Sequence, residues 1–350
     1  MIDEVINEIK KSFLQNENVA DGNPYFHDKR YQAFDFSKNN YHTLKHEETK
    51  RKIVFVDGGN AEIVKLPNFS LHIVRIYFNI FKGKKKINTK IPQKIDCYVA
   101  VFVENKNGEI YYKTELFPLK KEFSTFLPFA EDLVFSSLDN TLRIGPFKAD
   151  ISRIGAVTRR FMEWYFCSHI IENLEEDDII VRDGSLQTSV SNESTYANNV
   201  YNIALKNNVI FTGLSKTCNL LTDTGKSLID VIKKHGPVGV WYYHPVVDIT
   251  HPDHRAEMLF VKLNENAEHV FRLEILKNQF NNVDSILAPL VQQSNDYRFP
   301  GYPYGLIDAD TFARITEEER ATHIALFTSL TKDVDITSMD AHKILNKLIR

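Results

Sequence analysis

The stretch that decides the fold is KIVFVDGGNAEIV, residues 52–64, where an apolar run ends on an aspartate and a second run follows two glycines. An apolar run closed by an Asp-Gly pair predicts a buried strand that turns back on itself as a hairpin. Taken alone, Asp57 is most simply a residue of that turn. Gly58 and Gly59 would keep bulk away from its carboxylate, so that a metal ion and a phosphate could approach. The stretch therefore predicts a strand that ends on an accessible carboxylate.

Strands come first along the rest of the chain, and helices are added later. Three apolar runs follow, SLHIVRIYFNIF, KIDCYVAVFVEN and EIYYKTELF, and NKNGE between the last two is typical of a hairpin turn. A helix is predicted over DISRIGAVTRRFMEWYFCSHIIENL, and the strand DIIVRDG ends at Asp183. Strands and helices then alternate, and four helices are predicted over residues 281–293, 308–319, 322–330 and 338–349. This order predicts an α/β fold, a mixed sheet flanked by helices with additional C-terminal helices, and it resembles the ribonuclease H-like fold.

The first 50 residues differ in composition and hydrophobic pattern from the rest of the chain. Ile2, Ile6, Ile9 and Phe13 lie on one face of a predicted amphipathic helix, and a polar stretch follows it. We therefore predict two parts, an N-terminal amphipathic helix with a polar extension over residues 1–50 and the α/β domain over residues 51–350. The apolar face of the helix packs either on its own domain or on a partner.

Composition excludes several classes of protein. The 350 residues are 43% hydrophobic and 25% charged, with a net charge of -3, which is ordinary for a globular protein and argues against coating nucleic acid by bulk charge. The longest apolar run contains Arg75 and Asn79 and is too short to span a bilayer. Cys97, Cys167 and Cys218 are far apart, which argues against a disulfide framework. With no signal-peptide pattern at the start, we predict a cytoplasmic protein that does not enter a membrane.

Carboxylates at strand ends point to a metal site. A second strand, IIVRDGSL, also ends on an Asp-Gly pair, and if the two strands are neighbours, Asp57 and Asp183 project from the same sheet edge. Hard divalent cations bind such groups of oxygens. Glu163 lies near the apolar stripe of the predicted helix, where a carboxylate is costly unless it is paired or metal-bound. A metal ligand and an ion pair with Arg159 or Arg160, at i−4 and i−3, are equally compatible with this position.

Two other segments carry chemistry-bearing residues. YYHPVVDITHPDH holds five metal-compatible side chains, His244, Asp248, His251, Asp253 and His254. They support a rival hypothesis of a histidine-centred metallohydrolase, although the segment is more typical of a solvated loop between strands. The aromatic segment VQQSNDYRFPGYPYG either stacks single-stranded bases or packs within an ordered loop. Its aromatic side chains are Tyr297, Phe299, Tyr302 and Tyr304.

Several motifs, in order, resemble those of the NurA nucleases from about residue 51 to the end of the chain. They are FVDGG, RRFMEW, IIVRDGSL, FTGLSKT, VFRLEI, GYPYGLIDADTFARIT and DAHKILNKL. Each motif is weak alone, and their order makes the signal specific. The resemblance implies that residues 51–350 form a ribonuclease H-like NurA nuclease domain.

The resemblance also implies roles for individual residues. It makes the site acidic, with metal ligands Asp57, Glu163, Asp183 and Asp310, the last of which stands where many members have a histidine. It adds Lys216 and Tyr302 to the catalytic residues, Lys216 as the group that stabilises charge on the phosphate. The DNA-contacting residues that it implies are Arg159, Arg160, Lys216, Arg272 and Tyr302.

The implied activity is hydrolysis of DNA with one or two Mn²⁺ ions, or with Mg²⁺ in their place. By resemblance it is a 5′ to 3′ exonuclease on single- and double-stranded DNA and an endonuclease on single strands. The family acts as a homodimer on a hexameric HerA-type helicase, in end resection and double-strand break repair. The alternative is a non-catalytic ribonuclease H-like adaptor that binds DNA or the helicase. A decayed site would have lost carboxylates, and the presence of Asp57, Glu163 and Asp183 favours the enzyme.

Overall fold

The computed structural model of the chain describes residues 1–17, 19–44 and 49–331, without the side chains of residues 12–17. The helices are α1 Ile2–Glu17, α2 Arg153–Ile171, α3 Glu193–Lys206, α4 Leu228–His235, α5 Val283–Gln293, α6 Tyr304–Ala313 and α7 Glu317–Leu330. The first nine strands are β1 Pro24–Tyr25, β2 Tyr31–Ala33, β3 Tyr41–Thr43, β4 Lys52–Leu66, β5 Phe69–Lys82, β6 Lys85–Lys86, β7 Lys94–Lys106, β8 Glu109–Pro118 and β9 Val134–Ser136. The others are β10 Ile179–Asp183, β11 Ile210–Ser215, β12 Leu221–Thr222, β13 Trp241–Tyr243, β14 Val247–Ile249, β15 Ala256–Lys262 and β16 Phe271–Leu276.

One large mixed sheet forms the centre of the described structure. Its strand order is β3-β13-β15-β16-β11-β10-β4-β5-β7-β8-β9, and β6 pairs with β5. Strand β10 runs parallel to both β4 and β11, and the other neighbours in this sheet are antiparallel. The central order β7-β5-β4-β10-β11 is that of the ribonuclease H-like fold. The predicted fold class, with its flanking and C-terminal helices, is confirmed.

The opening stretch forms one continuous strand, β4, instead of a hairpin. Pairing with β5 runs from Lys52 opposite Lys82 to Leu66 opposite Phe69, with Asp57 opposite Tyr77. Gly58 and Gly59 are paired within this ladder, and the chain reverses only after Leu66. The predicted turn at the two glycines is therefore wrong, because long-range pairing with β5 outweighs the local preference of Asp-Gly for a turn.

Helices cover both faces of the sheet, and the alternation of β4 assigns each of its side chains to one face. Val54 and Val56 belong to the apolar core formed with α2 and α3. Ile53 and Phe55 belong to the core formed with α5 and α6. Since successive side chains point to opposite faces, Asp57 continues the face covered by α6 and the next position faces α2.

The predicted helices α2 and α3 lie where the sequence placed them, but two C-terminal helices are shifted. Helix α6 begins at Tyr304, directly after Pro303, and ends at Ala313, whereas the predicted helix covers residues 308–319. Helix α7 starts earlier than the predicted residue 322, because the Thr316 side chain accepts a hydrogen bond from the Glu319 amide and caps it. The helix predicted over residues 338–349 lies outside the described residues.

The N-terminal extension contributes strands to the fold. Strand β3 pairs with β13 at the edge of the main sheet, while β1 pairs with β12 and β2 with β14. Helix α1 keeps Ile2, Ile6 and Ile9 exposed at 69%, 41% and 50%. The described residues therefore leave its apolar face uncovered, and the division at residue 50 stays a prediction. Within the described ranges, no helix is both long and apolar enough to cross a bilayer.

Candidate metal centre

Three aspartates from three separate elements meet at one edge of the sheet. Asp57 lies on β4, Asp183 is the last residue of β10, and Asp310 lies on α6. One carboxylate oxygen from each lies within 4.8 Å of the others. The two strands are parallel neighbours, as the sequence predicts, and their register places Asp57 beside Asp183. Asp57 lies inside β4, however, and not at its end as predicted, while α6 adds the third aspartate from the face that Asp57 occupies.

A lysine ammonium lies among these carboxylates. Lys216 directly follows β11, and its Nζ is 2.6 Å from Asp183 Oδ2, 2.9 Å from Asp310 Oδ1 and 3.9 Å from Asp57 Oδ2. Burial would lower the pKa of this ammonium, but the surrounding carboxylates outweigh burial and raise it. Lys216 is thus held as a cation inside an acidic group.

Burial and neighbouring charges shift the pKa values of two of these aspartates, Asp57 and Asp310, in opposite directions. Burial, with Asp183 and Glu163 as further contributors, raises the pKa of Asp57 to about 8, although Lys216 opposes the rise. At Asp310 burial also raises the pKa, but Lys216 and Arg314 together hold it below its ordinary value. Three hard oxygen donors converging on one point, with one lysine to balance them, fit a divalent cation such as Mn²⁺ or Mg²⁺.

Glu163 lies on the opposite face of the sheet, in a network of arginines. It is 3% exposed, and Oε1 accepts a hydrogen bond from Arg159 Nη1 at 2.8 Å while Oε2 accepts one from Arg182 Nη2 at 2.7 Å. The pair with Arg159 that the sequence allowed is therefore present. Arg160 instead donates to Glu193. Neither oxygen of Glu163 belongs to the group formed by the three aspartates, and its role as a metal ligand stays a prediction.

The two glycines of the opening stretch let helices approach both faces of β4. A Cβ at Gly58 would lie 2.5 Å from Glu163 Oε1 and 3.1 Å from Arg159 Cγ. A Cβ at Gly59 would overlap with the carbonyl oxygen of Ala313, at the end of α6. The expectation that these glycines leave room for metal and phosphate is wrong, since protein atoms occupy that space.

Tyr302 lies beside the three aspartates in an aromatic setting. Its ring meets Phe271 at 5.1 Å and Phe299 at 5.9 Å between centroids, and Lys216 Nζ is 6.0 Å from its ring centroid. Burial, reinforced by Asp183, raises the pKa of its hydroxyl far above the ordinary value. Among the described residues this buried hydroxyl has no hydrogen-bond partner. Tyr302 therefore offers a neutral O–H donor close to the acidic group.

A cleft of about 650 Å³ opens next to this group and shares Lys216, Tyr302 and Asp310 with it. Its wall is aromatic, and the rings of His269 and Phe299 are stacked at 5.4 Å with an angle of 1° between their planes. Its other lining residues include Phe271, Arg298 and Arg314. The cleft thus joins the carboxylates to aromatic and basic side chains.

Sequence reasoning found only part of this cleft. Of the four aromatic residues in the predicted stacking segment, Phe299 and Tyr302 line it, and Tyr297 and Tyr304 do not. His269 and Phe271 were missed. Phe271 is the first residue of β16, and His269 lies two residues before it. A spacing of two in extended chain places side chains on one face, and that alternation was the signal that could have identified them.

A model of the NurA domain matches residues 51–315. The chain belongs to the NurA family. Among solved structures, the NurA nuclease from Sulfolobus solfataricus is similar to this chain, with a TM-score of 0.53 and 16% sequence identity. The match covers 95% of this chain and 98% of the Sulfolobus chain. An Argonaute from Aquifex aeolicus and an endonuclease V from Ciona intestinalis match 76% and 75% of this chain, at TM-scores of 0.30 and 0.35 and identities of 10% and 9%. These matches cover 28% of the Argonaute chain and 84% of the endonuclease V chain. A comparison with curated protein sequences found no significant match.

The structure places Asp310 inside the acidic group, at the position where the family resemblance leads us to expect a histidine in many members. Asp310 supplies one of the three converging oxygens, and its second oxygen accepts from Arg314 at 2.5 Å. A carboxylate there adds an anionic hard donor where a histidine would add a neutral nitrogen. The geometry is compatible with the ligand role expected for Asp310, which stays a prediction.

The rival histidine segment of this NurA protein does not form a metal site. In the part of the chain that the structure describes, Asp57, Asp183 and Asp310 are the only such group of potential ligands. His244 lies 3.6 Å from Glu257, while His254 is buried 3.0 Å from Glu274. The structure therefore uses these histidines as partners of single carboxylates.

Proposed function

We propose that this NurA-family protein is a metal-dependent nuclease that hydrolyses DNA. The single observation that carries the proposal is the convergence of Asp57, Asp183 and Asp310 around one point, beside a cleft that holds aromatic and basic side chains. Family membership supports the same reaction. The ion, Mn²⁺ by family resemblance with Mg²⁺ as a substitute and one or two in number, would supply an activated water and neutralise charge on the phosphate.

The residues of the chain contribute binding, charge and proton donation. The three aspartates hold the cation, and Glu163 is proposed to assist them from α2. The Lys216 ammonium is placed to donate to a non-bridging phosphate oxygen, where charge develops during hydrolysis. The buried Tyr302 hydroxyl supplies a second, uncharged donor at the same place. Because its pKa is raised well above neutrality, this hydroxyl keeps its proton during the reaction.

The cleft indicates how a DNA strand would be held. Stacked His269 and Phe299 offer flat faces, and stacking of a base on an aromatic side chain contributes about 1–3 kcal/mol. Arg298 and Arg314 are 64% and 68% exposed along their side chains, and contacts to the DNA backbone would compete with their pairs to Asp296 and Asp310. These features favour an unpaired strand at the site, which suits digestion from an end and cleavage of single strands.

The finer assignments remain part of the proposal and rest on family resemblance. They are 5′ to 3′ exonuclease action on single- and double-stranded DNA, endonuclease action on single strands, and a role in end resection and double-strand break repair. The proposed assembly is a homodimer with a hexameric HerA-type helicase, in the cytoplasm. The proposed DNA contacts of Arg159 and Arg160 compete with their pairs to Glu163 and Glu193.

Degradation of end-labelled single- and double-stranded DNA tests the proposal. We expect activity with Mn²⁺, weaker activity with Mg²⁺, none with EDTA, and a loss of at least about 100-fold in Asp57→Asn. Asp230→Asn, an exposed aspartate on α4, is the control and should retain full activity. Full activity in Asp57→Asn would refute the role of the acidic group. A correctly folded protein that binds DNA but is inactive with every metal would support the adaptor alternative.

A further inference from the structure

Two polar residues interrupt the apolar run of β5, and neither belongs to the acidic group. Arg75 and Asn79 are 8% and 0% exposed. Residues two apart on a strand share a face, so Arg75, Tyr77 and Asn79 lie on one side of β5. Tyr77 is paired with Asp57 on the neighbouring strand, which places this row on the face that α6 covers. A buried polar side chain costs free energy unless it finds partners, so the partners of this row indicate what it holds in place.

Asn79 holds the N-terminal half of α6. Its Nδ2 donates to the carbonyl of Gly305, in the first turn, and to Asp308 Oδ2, both at 2.7 Å. Gly305 itself lies so close to the ring of Phe55 that a Cβ there would overlap with it. The start of the helix is therefore fixed to the sheet by packing and by hydrogen bonds that do not involve Arg75.

Arg75 holds the C-terminal end of the same helix. Its Nη1 donates to the carbonyl of Arg314, the residue directly after α6, at 3.2 Å. Gly59 is paired with Arg75 across β4 and β5, and a Cβ at Gly59 would overlap with the carbonyl oxygen of Ala313. A residue without a side chain and a hydrogen-bond donor thus lie side by side where the helix end meets the sheet.

Two carboxylates fix the direction of the Arg75 guanidinium. Its Nε donates to Asp96 Oδ1, at the paired position of β7, at 2.5 Å, and its two Nη atoms donate to the two oxygens of Glu319 on α7. Burial would lower the pKa of this guanidinium, but the two carboxylates outweigh burial and raise it. With all three nitrogens engaged, the group is a rigid anchor, because a guanidinium presents its donors in one fixed plane.

The anchored helix end lies one turn from Asp310. The Arg314 amide donates to the Asp310 carbonyl at 2.9 Å, and the Arg314 guanidinium pairs with Asp310 Oδ2. Asp57 and Asp183 lie on neighbouring strands of the sheet, whereas Asp310 meets them only through the placement of α6. A helix rises about 1.5 Å per residue, so Arg314 lies about 6 Å along the axis from Asp310, and a shift of one displaces the other.

We propose that Arg75 is a positioning residue that sets the distance of Asp310 from the other two aspartates for cation binding. Loss of the Arg75 contacts would release the C-terminal half of α6, while the contacts of Asn79 keep the N-terminal half in place. The connection to a cation rests on the proposed function, whereas the anchoring of the helix end does not.

Hydrogen exchange in EDTA measures the anchoring without metal or DNA. Arg75→Lys keeps the charge, but one ammonium does not span Asp96, Glu319 and the Arg314 carbonyl together. We expect the amides of residues 310–314 to exchange at least about ten-fold faster in this variant, while those of α3 change less than about two-fold. Glu319→Gln leaves the sheet intact and should give an increase of about three-fold at the same amides, so it serves as the test if Arg75→Lys misfolds.

Calorimetric titration with Mn²⁺ tests the connection to Asp310. Arg75→Lys should weaken Mn²⁺ binding about five-fold, and it should have no further effect in the Asp310→Asn background, because it acts through that carboxylate. Lys52→Gln is the matched control, since Lys52 pairs with Glu175 and Asp178 at the start of β4. It should leave Mn²⁺ binding within about two-fold of the wild type.

The results separate the anchoring from the metal site. Unchanged exchange at residues 310–314 in both Arg75→Lys and Glu319→Gln would overturn the anchoring. Weakened Mn²⁺ binding that persists in the Asp310→Asn background, or unchanged Mn²⁺ binding despite faster exchange, would overturn positioning through Asp310. A wild type that binds no Mn²⁺ would instead refute the proposed metal-dependent function, and the exchange result would still decide whether Arg75 anchors α6.

Discussion

Replacing Asp57 with asparagine should stabilise the metal-free protein while removing its activity. The carboxylate is buried beside Asp183, with Glu163 behind the strand, and burial with these two groups raises its pKa to about 8. An asparagine keeps an oxygen that can accept the hydrogen bond that Gly58 donates to Oδ1 at 2.7 Å. It carries no charge, so it does not repel its acidic neighbours. A carboxylate proposed to bind metal thus destabilises the folded protein when no cation is bound.

The size of the effect follows from the raised pKa. A rise from 3.8 to about 8 corresponds to roughly 5 kcal/mol of unfolding free energy lost by pH 8, at 1.36 kcal/mol per tenfold change in proton affinity. The pKa of about 8 already includes the attraction of Lys216, which opposes the rise, so no separate loss is subtracted for that pair. We therefore expect Asp57→Asn to gain up to about 5 kcal/mol of unfolding free energy at pH 8, which raises Tm by about 7 °C.

The sign of the pH dependence is fixed by which state holds the proton. Between about pH 4 and about pH 8, folded Asp57 keeps a proton that the unfolded chain releases, so the wild type loses stability as pH rises through this window. The advantage of Asp57→Asn should therefore be small at about pH 5 and largest at about pH 8. Urea unfolding in EDTA at both pH values measures it. Equal stability differences at the two pH values, or a less stable variant at pH 8, would refute the reasoning. Added Mn²⁺ should reverse the order by stabilising only the wild type.

Four further changes test other parts of the site. Asp310→Asn should raise the Mn²⁺ concentration for half-maximal activity about ten-fold, and an unchanged titration would remove Asp310 from the ligands. Lys216→Gln should bind Mn²⁺ more tightly in calorimetry, because the lysine ammonium no longer competes with the cation. The variant should nevertheless cleave DNA at least about ten-fold more slowly, and weaker Mn²⁺ binding would contradict this competition. Gly59→Ala should lose about 2–3 kcal/mol of unfolding free energy in urea, because its Cβ would overlap with the backbone at the end of α6. A variant as stable as the wild type would show that the helix can shift freely. Glu163→Gln should lose about 3 kcal/mol of unfolding free energy, because two buried arginines lose their carboxylate partner. The exposed control, Glu317→Gln, should lose almost none, and equal losses in the two variants would contradict the buried network.

Local patterns in the sequence were sufficient to predict most helices and strands and to identify two of the three aspartates of the acidic group. The apolar run before Asp183 predicts β10, and its Asp-Gly ending resembles that at Asp57 closely enough to suggest neighbouring strands. Both inferences rely on residues adjacent in sequence. The match of helix α3 to its predicted range is of the same kind, because a period of 3.6 residues is a local property.

Local sequence patterns could not predict contacts between segments that are distant along the chain. The hydrogen bond from Lys216 to Asp310 joins residues 94 positions apart. Asp310 was included only by family resemblance. Gly58 and Gly59 were misread as a turn because the atoms that explain them belong to α2 and α6, which sequence patterns do not place against β4. Periodicity identifies which side of an element is buried, but it does not identify what covers that side.

The position of Lys216 explains how an acidic group of this kind can fold before a cation arrives. Its Nζ lies within hydrogen-bonding distance of Asp183 and Asp310 and faces Asp57 at 3.9 Å, so it offsets part of their mutual repulsion. A divalent cation bound to the same oxygens and this ammonium would repel each other strongly at such distances. Cation binding would therefore require the lysine to move away from the aspartates, and its flexible side chain permits this. The neighbouring cleft is lined by Lys216 itself and by the ring of Tyr302, so a withdrawn ammonium remains where a phosphate would enter. With the proposed role of Lys216 toward the phosphate, one side chain would both stabilise the metal-free fold and contact the substrate.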